Sequence, residues 1–177
     1  MADDVANPDL RVLIPADALQ ARIAELAAAI NRDYAASERL IAIGVLKGSV
    51  FFLVDLLKHL TVPLKVDFFQ TSSYGNATEP GEVRIKKDVD LSVRGADVLL
   101  VEDIVDTGYT LRTILSLLKF RQAKSVRLCA LLDKKARREV EVPIDYKGFE
   151  IEDVFVVGYG LDHAERYRNL PFIGYLQ

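Results

Sequence analysis

Tryptophan is missing from the 177 residues of the chain, and cysteine and methionine occur once each. A lone Cys129 cannot close an intramolecular disulfide, and by itself it supplies too few ligands for a zinc site. Set inside the apolar run VRLCALL, it reads as a buried, inert thiol suited to a reducing compartment. Histidine is scarce too: His59 and His163 read as surface side chains rather than metal ligands. No apolar run is long enough to span a bilayer, since Val50 to Val54 already ends at Asp55. An excess of positive charge is also lacking. The formal net charge of -3 argues against a broad nucleic-acid surface, although a local basic pocket remains open. The opening MADDVANPDLRVLIP is acidic and broken by prolines, unlike a signal peptide. These absences lead to the expectation of a soluble cytoplasmic protein with no membrane or nucleic-acid partner.

What is present is ordinary for a globular protein: 50% hydrophobic and 28% charged residues. The length predicts one compact domain over residues 1–177, large enough to bury roughly 70% of its unfolded surface. No repeat and no low-complexity stretch divides it. Leu19, Ile23, Leu26, Ile30 and Tyr34 recur at helical steps and predict a helix from an N-cap at Asp17 to about Ala36. Apolar runs then alternate with helical patterns. Strands are predicted at Leu40 to Leu46, Leu64 to Phe69, Val98 to Val101, Val126 to Leu132 and Val154 to Val157, and helices at Val50 to Leu60 and Thr110 to Phe120. Strands without polar alternation are buried on both faces, so the pattern predicts an α/β fold with a wound, mainly parallel sheet flanked by helices. Two segments break the rhythm. Thr71 to Gly81 is polar and turn-rich, then Glu82 to Lys87 alternates like a hairpin arm. Lys134 to Glu152 is charged, interrupted by Pro143 and Gly148, and is expected to pack beside the sheet.

The chemistry concentrates in VLLVEDIVDTGYTL, Val98 to Leu111, where an apolar strand runs into Glu102, Asp103 and Asp106 and then a Thr-Gly-x-Thr turn. Ligands of wound α/β sheets bind beyond the carboxyl ends of the strands. The turn into the next helix offers outward N–H groups for a phosphate, Gly108 lets the backbone approach closely, and Thr hydroxyls add donors. Acids beside a phosphate site repel it unless sugar hydroxyls or a hard cation intervene, which points to a ribose, a phosphate and Mg²⁺. The plainer alternative, acids that merely cap the next helix, stays open for any short fragment of this motif.

VLLVEDIVDTGYTL resembles the phosphoribosyl diphosphate (PRPP) motif of type I phosphoribosyltransferases. Further blocks follow in order: LKGS at Leu46 to Ser49, SSYG at Ser72 to Gly75, LLDK at Leu131 to Lys134 and FVVGYGLD at Phe155 to Asp162. From about Leu40 onward the chain is similar to the hypoxanthine-guanine branch in its bacterial form. The resemblance implies a type I fold with a small hood lobe built from the chain ends. It also implies a purine salvage reaction in which a purine nitrogen attacks the anomeric carbon of PRPP and pyrophosphate leaves through an oxocarbenium-like transition state.

Residue by residue, the resemblance implies that Glu102 and Asp103 hold the ribose hydroxyls, directly or through Mg²⁺, and that Asp106 is the general base at purine N7. Asp106, Thr107, Gly108, Tyr109 and Thr110 would cradle the 5′-phosphate. Lys47 and Gly48 match the pyrophosphate loop, in which the bond at Leu46–Lys47 is often cis in the family, a point the sequence leaves open. Arg168 matches a pyrophosphate-binding arginine, and Asp162 a Mg²⁺ contact beside Glu102 and Asp103. Lys134 would donate to the purine 6-oxo group, Phe155 would stack on the base and the Val156 backbone would meet its 2-position edge. Ser73 and Tyr74 would belong to a mobile lid over about 71–87 that excludes water. The substrates implied are a 6-oxopurine base and PRPP, and the assembly a homodimer or homotetramer. His163 stands where the family often has Tyr, and NATEPGE is poor in Ser and Thr. The nearest alternatives are a xanthine-accepting enzyme and a PRPP-sensing regulator; the latter is disfavoured by the negative charge and the lack of a helix-turn-helix pattern.

Overall fold

The structure, a computed structural model, describes residues 7–73 and 83–177. Its main sheet has six strands: β2 (Leu40–Leu46), β3 (Leu64–Ser73), β4 (Val83–Lys87), β5 (Asp97–Val105), β6 (Ser125–Asp133) and β7 (Tyr146–Glu150). They lie in the order β4-β3-β2-β5-β6-β7. All neighbours are parallel except β4, which returns antiparallel along β3 at the edge. The wound, mainly parallel sheet read from the apolar runs is therefore the observed one.

Alternation along each strand divides its side chains between two cores. Leu99 and Val101 of β5 pack with Leu19, Ile23, Ile30, Phe52 and Leu56, from helices α1 (Ala16–Asp33) and α2 (Val50–His59). Val98 and Leu100 pack on the other face with Leu111, Ile114 and Leu118 of helix α3 (Tyr109–Phe120). Each fully buried Leu or Ile of this kind contributes on the order of 2 kcal/mol of transfer free energy. Helix α1 starts one residue earlier than its predicted cap: Pro15 precedes it and Asp17 sits in its first turn, where Oδ1 accepts the Ala18 N–H at 2.9 Å.

A second sheet of three strands lies outside the main one, in the order β1-β9-β8. It joins β1 (Leu10–Ile14), β8 (Val156–Val157) and β9 (Ile173–Leu176), both contacts antiparallel. Two expectations change here. The run Val154 to Val157 does not enter the main sheet; its last two residues form β8 of the small one, because β9 offers them a partner there. The charged stretch after Lys134 does not merely pack beside the sheet, since Tyr146–Glu150 extends it as edge strand β7. No described helix is long and apolar enough to cross a membrane.

Candidate active site

Strand β5 ends at the middle of the sheet, between β2 and β6, and there a cavity of about 520 Å³ opens. Glu102, Asp103, Asp106 and Asp162 line it together with Lys47, Lys134, Arg137 and Arg168. Gly48, Thr110, Phe155 and Val156 complete the part that the sequence singles out. Four separate segments thus supply charge to one space.

The acids are held in an unfavourable state by the fold. Glu102 Oε2 is enclosed without a hydrogen-bond partner. Burial pushes the Glu102 carboxyl well above the usual carboxylate range, and the neighbouring Asp103 adds to the rise. Burial likewise pushes Asp103 up to about 6, against the opposing pull of the Ile104 N–H, which it accepts at 3.0 Å, and of Arg168. Asp103 also packs tightly on the loop after β2. A Cβ on Gly48 would lie 1.6 Å from Asp103 Oδ2, so the approach of loop and carboxylate requires glycine. The Leu46–Lys47 bond in that loop is cis.

Asp106 follows β5 and leads into the turn before α3. Its Oδ1 accepts no hydrogen bond, and Arg137 Nε stands 3.5 Å from it. Gly108 has φ +95, a left-handed conformation that side chains resist, and it precedes α3 with no side-chain cap. The first N–H groups of the helix therefore remain available to an anion. Thr110 faces the cavity, whereas Thr107, Gly108 and Tyr109 are not among its lining. Thr107 instead accepts the N–H groups of Glu139 and Val140 on its carbonyl, and the Tyr109 hydroxyl donates to Glu139 at 3.1 Å.

Lys134, at the end of β6, is 5% exposed and donates to the Val154 carbonyl at 2.8 Å, with Asp153 at 3.6 Å. An ammonium carries three donors, so the Val154 carbonyl does not exhaust them. Phe155 leaves 55% of its surface exposed, and its ring meets His163 edge-on at 5.3 Å between centroids. Val156 is buried in β8.

The loop after β8 turns through left-handed positions at Tyr159, Ala164, Glu165 and Tyr167. Arg168 pairs with Asp162 at 2.7 Å, donates to the Gly160 carbonyl, and keeps an enclosed Nε without a partner. Lys47 reaches Glu165 at 3.0 Å, which also neighbours Arg168 at 3.3 Å. Ser73 ends β3, and Tyr74 with the tip of the expected lid lies outside the described residues. Sequence reasoning missed Arg137 as a lining residue and placed Thr71 only at the start of the expected lid. The signal for Arg137 was the basic run KKARR directly after a buried strand; that for Thr71 was the polar, turn-rich segment it opens.

A cavity with carboxylates on its floor, donors at a helix start and an unpartnered arginine nitrogen suits a hydroxylated, polyanionic ligand. Residues 15–164 match the model of the phosphoribosyl transferase domain family. The chain is 49% identical to a hypoxanthine-guanine phosphoribosyltransferase of Bacillus subtilis over 168 residues, 94% of this chain and 93% of that one. It is 48% identical to a hypoxanthine phosphoribosyltransferase of Haemophilus influenzae over 166 residues, 92% of this chain and 93% of the relative. The crystal structure of a hypoxanthine phosphoribosyltransferase from Staphylococcus aureus superposes with a TM-score of 0.92 at 44% identity, over 98% of this chain and 95% of that one.

Proposed function

The chain belongs to the phosphoribosyltransferase family, in its hypoxanthine-guanine branch, and from that premise we propose that it joins a 6-oxopurine to PRPP and releases pyrophosphate. The observation that carries this reading is the convergence of β5 acids, Lys134 and Arg168 on one cavity.

In the reaction, a purine nitrogen attacks the anomeric carbon, the bond to pyrophosphate breaks, and the proton on N7 passes to the Asp106 carboxylate. Glu102 and Asp103 receive the ribose hydroxyls, and their negative charge favours the cationic sugar of the transition state. Asp106, Thr107, Gly108, Tyr109 and Thr110 take the 5′-phosphate, chiefly through the N–H groups that start α3. Lys47, Gly48 and Arg168 take the pyrophosphate, which has to displace Glu165 from the two cations. Lys134 donates to the 6-oxo group; adenine, with a 6-amino donor there, would set donor against donor. Phe155 offers a face for stacking and the Val156 backbone meets the 2-position edge of the base.

The donor set fits Mg²⁺. Glu102 Oε2 is enclosed and unpartnered, and Glu102, Asp103 and Asp162 are hard oxygen donors around one cavity. Among the described residues no group of three or more such side chains is clustered to hold an ion, so a cation here would need further ligands from substrate and water. When bound there, Mg²⁺ supplies charge neutralisation on the pyrophosphate. The antiparallel pair β3 and β4 is the stem of the lid over 71–87, and the small sheet is the hood of a single domain over residues 1–177. Phe51, Val54 and Val66 are exposed apolar side chains available to a homodimer or homotetramer contact. In the same reading the protein works in the cytoplasm.

The test is a base panel. With PRPP and Mg²⁺, hypoxanthine or guanine yields its monophosphate while adenine does not; absence of product with hypoxanthine, guanine and xanthine alike would overturn the proposal.

A further inference from the structure

Arg138 is a charged residue that the reaction above does not use, yet its side chain is only 7% exposed. Its Nε donates to the main-chain carbonyl of Asp106 at 2.8 Å, and Nη2 donates to that of Val105 at 3.2 Å. The same Nη2 donates to Asp133 Oδ1, and Lys147 meets the other oxygen of that carboxylate at 3.2 Å. Asp133 immediately precedes Lys134, whose own N–H donates to the Val105 carbonyl at 3.0 Å. The next residues continue the contact: Glu139 and Val140 donate to the Thr107 carbonyl at 3.0 and 2.9 Å. A Cβ on Gly108 would meet the Val140 carbonyl oxygen at 2.2 Å and Arg138 Cδ at 3.2 Å. The stretch 138–140 therefore lies directly against the turn that carries Asp106.

Arg137 approaches the same residue from the cavity side. The 3-10 turn Lys135–Arg137 brings its Nε to 3.5 Å from Asp106 Oδ1, an oxygen that accepts no hydrogen bond. Two consecutive arginines thus address one aspartate, Arg138 through its backbone and Arg137 through its carboxylate.

We propose that Arg137 and Arg138 are positioning residues that fix Asp106, and that the Arg138–Asp133 pair ties the placement of Asp106 to the strand end that presents Lys134. The proposal rests on the reading of Asp106 as the proton acceptor. Its physical basis is the buried pairing of Arg138. A guanidinium with three oxygen partners has one arrangement, so the carbonyls of Val105 and Asp106 cannot drift independently of Asp133. Neither arginine needs to touch the substrate for this.

The test is a mutant cycle on the full chain with PRPP, Mg²⁺ and hypoxanthine. Arg137→Gln is expected to lower kcat about ten- to a hundredfold, part of the range available to positioned proton transfer. KM for both substrates should stay within about twofold, because uniform binding is untouched. Arg137→Lys should recover part of the loss. Combined with Asp106→Asn, Arg137→Gln should cost little more than Asp106→Asn alone, since both remove one function. Arg138→Gln should follow the same pattern. Should it fail to fold because buried Asp133 loses its buried partner and keeps only the half-exposed Lys147, the double variant Asp133→Asn/Arg138→Gln removes both charges and is measured instead. If Asp106→Asn lowers kcat but Arg137→Gln and the Arg138 variant do not, or if their losses add fully to it, the clamp is overturned. If Asp106→Asn itself keeps full kcat, the reading of Asp106 fails, and the clamp with it; the two failures are thereby told apart.

Discussion

Glu102 and Asp103 lie where a carboxylate is costly, inside strand β5 and directly after four wholly buried residues. Burial makes the charged form of both groups unfavourable, and the proposed function gives them a ligand to bind. For Asp103 the linkage has a definite sign. Its folded value of about 6 lies above the ordinary 3.8, so the folded state holds the proton more tightly than the unfolded chain. The stabilising effect of that proton is lost as pH rises from about 4 through 6. The expected outcome for Asp103→Asn in metal-free, substrate-free protein is a gain of on the order of 2–3 kcal/mol at pH 8, shrinking towards zero near pH 4. Urea unfolding at pH 4, 6 and 8 checks this, and a gain independent of pH would remove burial as its cause. At this scale much was legible. Adjacent acids after an apolar strand have no use in a core, whereas Arg137 and Arg138 look like surface charges until the turn folds them back.

Elements were legible where burial is two-sided. Strands β2, β5 and β6 are runs of apolar residues because helices cover both faces of the sheet, and the sequence displays that directly. Strand β7 was not legible: YKGFE sits at an edge, is largely half-buried, and carries the mixed composition of an exposed ribbon. Strands β1 and β9 escaped for a related reason, since β1 is mostly exposed and both are four or five residues long. The loop between β2 and α2 belongs to this scale as well, because the spacing of two elements decides what fits there. Gly48→Ala would place a methyl 1.6 Å from Asp103 Oδ2, so loop or carboxylate must move. Overpacking of this kind costs about 1–3 kcal/mol of folding stability, and the displaced loop is expected to raise KM for PRPP. Steady-state kinetics with melting curves check it; a normal KM would show that the two elements can part without consequence.

The whole molecule divides into a main sheet that carries the acids and a small sheet that carries Val156. Strand β9 lies between β1 and β8, so the small sheet depends on segments from opposite ends of the chain. Deleting residues 173–177 should leave the main sheet folded and PRPP bound while base binding is lost. Circular dichroism, with separate titrations of PRPP and hypoxanthine, checks this, and equal loss of both ligands would mean that the two sheets are one cooperative unit. During synthesis the same arrangement imposes a sequence of events. The turn at Asp106 to Gly108 and helix α3 follow β2 to β5 in the chain and precede only β6 and β7 of the main sheet. Strand β1 emerges before any of them, yet waits unpaired until β9 arrives. In the proposed reading, a nascent chain therefore acquires the means to hold a sugar phosphate before it acquires the means to choose a base.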